Sequence, residues 1–126
     1  MSHFSRLKTQ IVEKELLILA LKDMGYQPEE GETQIRSFGG NQTQVELKIS
    51  RKFSYDIGFR KTGETYEVIA DWFGVHGITP KEFIPQLNRR YAYHAARVKL
   101  EEQGFTLTSE DVQADGRIHL VLRRTA

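Results

Sequence analysis

The chain has 126 residues, with 18 Lys plus Arg against 17 Asp plus Glu, a net charge of +1 and a 39% hydrophobic share. That length makes a single domain with one core, and the near-neutral balance excludes a strongly basic nucleic-acid arm and an acidic solvating tail. There is no cysteine, which excludes disulfides, iron–sulfur clusters, thiolate zinc sites and cysteine nucleophiles.

Ser2 to Lys8 reads as a first strand. A helix follows from Gln10 to Met24 with Thr9 as its N-cap. Leu16, Leu17, Ala20, Leu21 and Met24 share a broad face that Ile18 and Leu19 widen, predicting cover on more than one side. Within it, Leu16 to Leu21 is the longest apolar run, six residues against roughly 20 for a bilayer span. With no signal-peptide core at the start, the expectation is a soluble chain of the cytoplasm, or of the stroma if plastid-encoded. Gly25 is placed for the left-handed position beyond the helix, with Tyr26 folding back toward Leu21.

Pro28 to Gly31 reads as a polar connection, Ile35 to Phe38 as a short strand and Gly39-Gly40-Asn41 as a turn. Val45, Leu47 and Ile49 alternate along the next strand. A hairpin turning at Thr62-Gly63 would pair Phe59 with Tyr66, Ile57 with Val68, Tyr55 with Ala70 and Phe53 with Trp72. One face is then aromatic and aliphatic and lies under the helices. The other carries Ser54, Asp56, Gly58, Arg60, Thr65, Glu67, Ile69 and Asp71, with cross-strand charge pairing of Arg60 and Glu67.

Thr79-Pro80-Lys81-Glu82 is a capping box with proline at N1, opening a helix that runs to Gln103 and stops at Gly104. Pro85 predicts an irregular first turn. Phe83, Ile84, Leu87, Tyr91, His94, Ala95 and Val98 form its core stripe, so His94 points toward the sheet as a half-buried hydrogen-bonding group. Phe105 to Gln113 and Arg117 to Arg124 are strands joined by an Asp115-Gly116 type I′ turn. Together these elements predict one α+β domain over residues 1–126: a mainly antiparallel sheet with two helices packed on one face.

Three sets of residues compete for function. His3, His76, His94 and His119 lack metal-ligand spacing, and no metal or cofactor is expected. Arg89, Tyr93, Arg97 and Leu100 lie off the core stripe of the second helix, and an exposed tyrosine and leucine framed by arginines suit a protein partner. Asp71, Trp72 and His76 sit where a buried strand turns into that helix. There Asp71 and His76 could form an acid–base pair or ligand corner, with His94 a further candidate. The favoured reading of this corner is an aromatic anchor with Asp71 on the polar sheet face, because no nucleophile accompanies the pair. Arg6, Lys8, Arg51, Lys52, Arg60, Lys61, Arg123 and Arg124 can form a basic edge. The aromatics, however, alternate into the core and leave no stacking platform, so DNA is not expected and RNA ranks last.

Several motifs recur in order along the chain: Ser2-His3-Phe4-Ser5, Lys8-Thr9, Phe38-Gly39-Gly40-Asn41 and Tyr55-Asp56-Ile57-Gly58-Phe59-Arg60. Ala70-Asp71-Trp72, Arg90-Tyr91-Ala92-Tyr93-His94, Asp115-Gly116-Arg117 and Leu122-Arg123-Arg124 follow. In these the chain resembles the family called hypothetical chloroplast open reading frame thirty-five, from cyanobacteria and red-algal plastids. The resemblance implies an accessory role near the photosynthetic apparatus, in assembly or acclimation of a thylakoid complex. It supplies no catalytic residues. The expectation is therefore a non-enzymatic binding protein, with a ligand or enzymatic site at the Asp71–His76 corner as the alternative.

Overall fold

The computed structural model describes residues 4–37 and 40–124. Its elements run β1 (Ser5–Lys8), α1 (Lys14–Asp23), β2 (Glu29–Arg36), β3 (Gln42–Ile49), β4 (Ile57–Thr62), β5 (Thr65–Ala70), a short 3-10 turn (Trp72–Gly74), α2 (Pro80–Glu102), β6 (Phe105–Val112) and β7 (Ile118–Arg124). Five strands form an antiparallel sheet in the order β1-β5-β4-β3-β2, while β6 and β7 pair only with each other. The fold is the α+β class expected. Ser2 and His3 of the predicted first strand, and Phe38 and Gly39 of the predicted strand end and turn, lie outside the described residues.

The β4–β5 hairpin sets the inside and outside of the sheet. Its turn is Gly63-Glu64, between the paired Thr62 and Thr65, with Gly63 at φ +70°. Glycine in the first central position suits a two-residue hairpin turn of the II′ kind. The turn lies one residue beyond the predicted Thr62-Gly63, so each cross-strand partner shifts by two and Phe59 faces Val68 instead of Tyr66. A shift of two preserves the face. Ile57, Phe59, Tyr66, Val68 and Ala70 are accordingly buried with Leu17, Ala20 and Leu21 of α1 and Phe83 and Leu87 of α2. Each Leu, Ile, Val or Phe among them contributes about 1.5–3 kcal/mol by leaving water. The predicted pairs Tyr55–Ala70 and Phe53–Trp72 do not form, because β4 begins at Ile57.

The opposite face is less polar than its sequence suggests. Ile69 is fully buried there with Ile35 and Val45, and Phe4 packs against them. Gly58 makes this possible, since a Cβ at that position would lie 2.6 Å from Val45 Cγ1 and 3.1 Å from Ile35 Cδ1. Glu67 accepts a 2.6 Å hydrogen bond from the Thr62 hydroxyl, while Arg60 turns to the Gln44 carbonyl. The predicted Arg60–Glu67 charge pair is replaced by these two contacts.

Helix ends follow local chemistry except at the start of α1. Thr9 does not cap that helix: its hydroxyl donates to the Tyr66 carbonyl at 2.6 Å and accepts from Ile11 N–H at 3.1 Å. The Tyr91 hydroxyl of α2 instead accepts from Val12 and Glu13 N–H, both at 3.1 Å, and the helix begins at Lys14. The widened face expected from Ile18 and Leu19 is covered at Ile18, which packs against the core, but not at Leu19, which is 43% exposed. At its other end Gly25 takes φ +91°, with Tyr26 N–H donating to the Leu21 carbonyl and Gly25 N–H to that of Lys22. This is the predicted stop.

The predicted connection at Pro28–Gly31 partly joins β2, which starts at Glu29. Thr79 Oγ1 accepts from Glu82 N–H and donates to the Glu82 carboxylate, completing the capping box. Helix α2 continues through Pro85 without the expected irregular turn. Pro85 and Lys81 are both exposed, so the Lys81 carbonyl that loses its donor stays in water. Between β6 and β7 the Gln113 N–H donates to the Arg117 carbonyl and Gly116 takes φ +89°. The loop is thus Ala114-Asp115-Gly116, a three-residue form in place of the two-residue type I′ turn.

Gly58→Val is expected to destabilise the protein by about 1–3 kcal/mol through overpacking, lowering the midpoint of thermal unfolding followed by circular dichroism. Adding Val45→Ala, which removes the obstructing Cγ1, is expected to recover part of the loss.

Candidate functional site

The Asp71–Gly77 corner is held from within. Asp71, only 1% exposed, caps the 3-10 turn by accepting from Phe73 N–H at 3.3 Å. The Trp72 ring is anchored against Phe83, with centroids 6.0 Å apart, although its enclosed indole N–H has no hydrogen-bond partner among the described residues, a cost that the ring's packing offsets. Segment 51–56 is stitched to the turn: Tyr55 N–H donates to the Gly74 carbonyl at 2.9 Å, and His76 N–H donates to Ser54 Oγ at 3.0 Å. Gly74 lacks a Cβ where one would strike the Tyr55 ring at 2.1 Å. His76 itself is exposed.

Beside this corner lies a cleft of about 530 Å³ lined by Arg36, Ser37, Gly40, Phe53, Ser54, Tyr55, Asp56, Phe73, Gly74 and His76. Phe53 is 88% exposed and Phe73 79%. Extending the β4 alternation back to Phe53 turned that ring inward in the sequence reading. The polar run Ser50-Arg51-Lys52 before it, and Ser54 after it, are the signal that the strand has already ended. Arg36 and Phe73 carried no sequence signal of a shared site.

His94 does not join the corner. Its Nε2 lies 2.6 Å from Asp23 Oδ2 at the end of α1, and its ring stacks on Tyr93 with centroids 4.8 Å apart. Arg90 donates to the same carboxylate oxygen through Nε at 3.0 Å and a terminal nitrogen at 2.7 Å. The partner that the sequence aimed at the sheet is thus on the neighbouring helix.

The Arg89–Tyr93–Arg97–Leu100 face is also rearranged. Tyr93 was expected to be exposed but is 7% exposed, because the β6–β7 hairpin lies against it. Its hydroxyl donates to Glu110 of β6 at 2.7 Å and accepts from Arg97 at 3.1 Å. Burial, with Glu110 accepting, pushes that hydroxyl above its ordinary value of 10.0. Arg89 donates to the Asp115 carbonyl and sits where a Cβ on Gly116 would collide with it. At about 100° per residue, Tyr93 is about 80° round α2 from Phe83. The buried stripe therefore swings from the sheet toward the hairpin, and Val98, expected in the core, is 42% exposed. Leu100 is half-buried.

Among the described residues no group of three or more His, Asp or Glu is placed to hold a metal ion, and no helix is long and apolar enough to cross a membrane. The strongest electrostatic feature is Asp23. Burial pushes its carboxyl up, but hydrogen bonds and charge from Arg90 and His94 outweigh this and hold it below its ordinary 3.8. A depressed carboxyl stabilises the fold above its ordinary value and loses that contribution as pH falls through the lowered one. Asp23→Asn is expected to cost about 1–2 kcal/mol at neutral pH. Its urea midpoint should approach that of the parent chain as pH drops below the ordinary aspartate range.

A family model described as "Protein of unknown function (DUF1257)" matches residues 20–121. The protein called "Uncharacterized protein ycf35" from Cyanophora paradoxa is 33% identical over 125 residues, 98% of each chain. The proteins of that name from Guillardia theta and Pyropia yezoensis are each 30% identical, again over 98% of each chain. No solved structure matches. Domain model and full-length relatives agree with the motif order along the sequence, and the chain belongs to the ycf35 family, DUF1257.

Proposed function

We propose that the protein is a non-enzymatic accessory protein of the photosynthetic lineage that binds a protein partner on the module formed by α2 and the β6–β7 hairpin. The role we assign to it is support of assembly or acclimation of a thylakoid complex. The observation that carries the reading is the state of the hairpin. It is a separate two-stranded sheet in which no described residue is buried, and it is docked on α2 through Tyr93–Glu110 and Arg89–Asp115.

A lone hairpin is marginal in water, and its free edges invite pairing. Phe105, Leu107, Ile118, Leu120 and Leu122 are only half-covered; Val112, paired with Ile118, is 58% exposed on their face of the hairpin, and Val121, paired with Ser109, is 44% exposed on the other. Arg89, Arg97 and Leu100 border this surface from α2, and Tyr93 acts from inside it as the post on which the hairpin rests. An apolar centre edged by arginines suits a protein interface. The lineage is supported by relatives from plastid-bearing algae.

The test is affinity capture from native cells with the parent chain and with Val112→Glu plus Val121→Glu. Both side chains are exposed, so unfolding midpoints should match. Partner recovery is expected to fall about tenfold, the loss typical of an interface residue worth more than 1 kcal/mol. Unchanged recovery excludes this surface.

A further inference from the structure

Phe53 and Phe73 come from segments distant in sequence yet stand almost fully exposed on one cleft. Phe53 also holds φ +57°, the one non-glycine in the left-handed region among the described residues, a conformation that carries strain for a bulky side chain. The hydrogen bonds from Tyr55 N–H to Gly74 and from His76 N–H to Ser54 fix the two segments together. Both rings therefore project from a braced support.

Cations surround them. Arg36 lines the cleft, Arg51 donates to the His76 carbonyl, and the Lys52 ammonium lies 5.7 Å from the Phe53 ring centroid. None of the three forms an ion pair with a carboxylate of the described residues. Asp56 also lines the cleft, but its carboxylate faces the Lys48 ammonium at 4.0 Å.

We propose that this end of the molecule docks on a bilayer surface bearing anionic headgroups. Phe53 and Phe73 enter the boundary between headgroups and acyl chains, while Arg36, Arg51 and Lys52 meet the headgroup charges. Phenylalanine is among the apolar residues that interfacial segments bury at that depth, and basic residues beside it are drawn to anionic lipid. Each basic residue near an anionic surface strengthens the binding, which adds to the apolar area the two rings bury. Arg36, Ser54, Asp56 and His76 line the cleft together with Tyr55 and Gly74, so a partner's apolar side chain entering it would also meet polar and charged groups. A bilayer needs only projecting rings and uncompensated cations.

The test is flotation of the full chain with vesicles of phosphatidylglycerol mixed with phosphatidylcholine, against phosphatidylcholine alone. Protein is expected to rise only with the anionic vesicles, less so as salt is raised. Phe53→Ser with Phe73→Ser, and separately Arg36→Gln with Lys52→Gln, are each expected to weaken binding about tenfold. All four side chains are exposed, so unfolding midpoints should not move. As a gain of signal, Phe53→Trp should add emission that shifts blue on the vesicles and is quenched by spin-labelled lipid. Absence of parent-chain flotation with anionic vesicles overturns the proposal. So does undiminished binding by the serine variant, or Phe53- and Phe73-dependent capture of an acidic peptide without vesicle binding.

Discussion

The structure depends on one ring. Phe83, 1% exposed, is approached by Phe59 from the sheet at 6.4 Å and by Tyr26 and Trp72 at 6.0 Å each. It is the fourth residue of α2, just past the Thr79–Glu82 capping box. The cap therefore sets more than a helix end: by fixing the first turn it fixes where Phe83 enters the core. Trp72 then has a surface to rest on. A 3-10 turn advances about 120° per residue, so with Trp72 directed inward its neighbour Phe73 is directed away. The exposure of Phe73 is a consequence of burying Trp72.

What could be read from the sequence was whatever local chemistry decides. The alternation through β4 and β5 gave the buried face correctly although the turn was placed one residue early, because the resulting slip is even. Gly25 and Thr79 were legible for the same reason, since the residue type and its immediate neighbours settle the conformation. Thr9 was not. A hydroxyl ahead of a helix reads as a cap, but this one is taken by the Tyr66 carbonyl across the sheet, and Tyr91 supplies the acceptor from 78 residues away. Competition between a local and a distant partner leaves no local trace.

The same limit governs α2. Its helical wheel has one apolar side facing the sheet, and everything beyond that side reads as surface. Tyr93 appears free on the wheel because Glu110, 17 residues later, is what covers it. His94 likewise finds Asp23, 71 residues earlier, at the end of the other helix. Of the residues singled out on this face, Tyr93 is thus an internal support and Arg89 a strut to the hairpin loop. The sequence marked this side of α2 for an outside partner, whereas the chain itself occupies part of it. Gly58 is the counterpart in the sheet: a missing side chain gives no periodic signal, yet it admits Val45 and Ile35 beside Ile69.

Phe53 shows how far such constraints reach. Its inward placement would require β4 to extend four residues toward the N-terminus, with Tyr55 and Phe53 joining the ladder against β5. The ladder is closed to them because Tyr55 N–H is committed to the Gly74 carbonyl, with its ring laid where Gly74 has no Cβ. Once Tyr55 is fixed on the turn, the backbone just before it must reverse, and the left-handed conformation of Phe53 falls in that reversal. Its exposed ring is therefore determined by the same corner that buries Trp72. Unfolding one aromatic from the rim would mean dismantling the anchor of the other, which is why Phe53 and Phe73 act as a pair held at fixed spacing on one end of the fold.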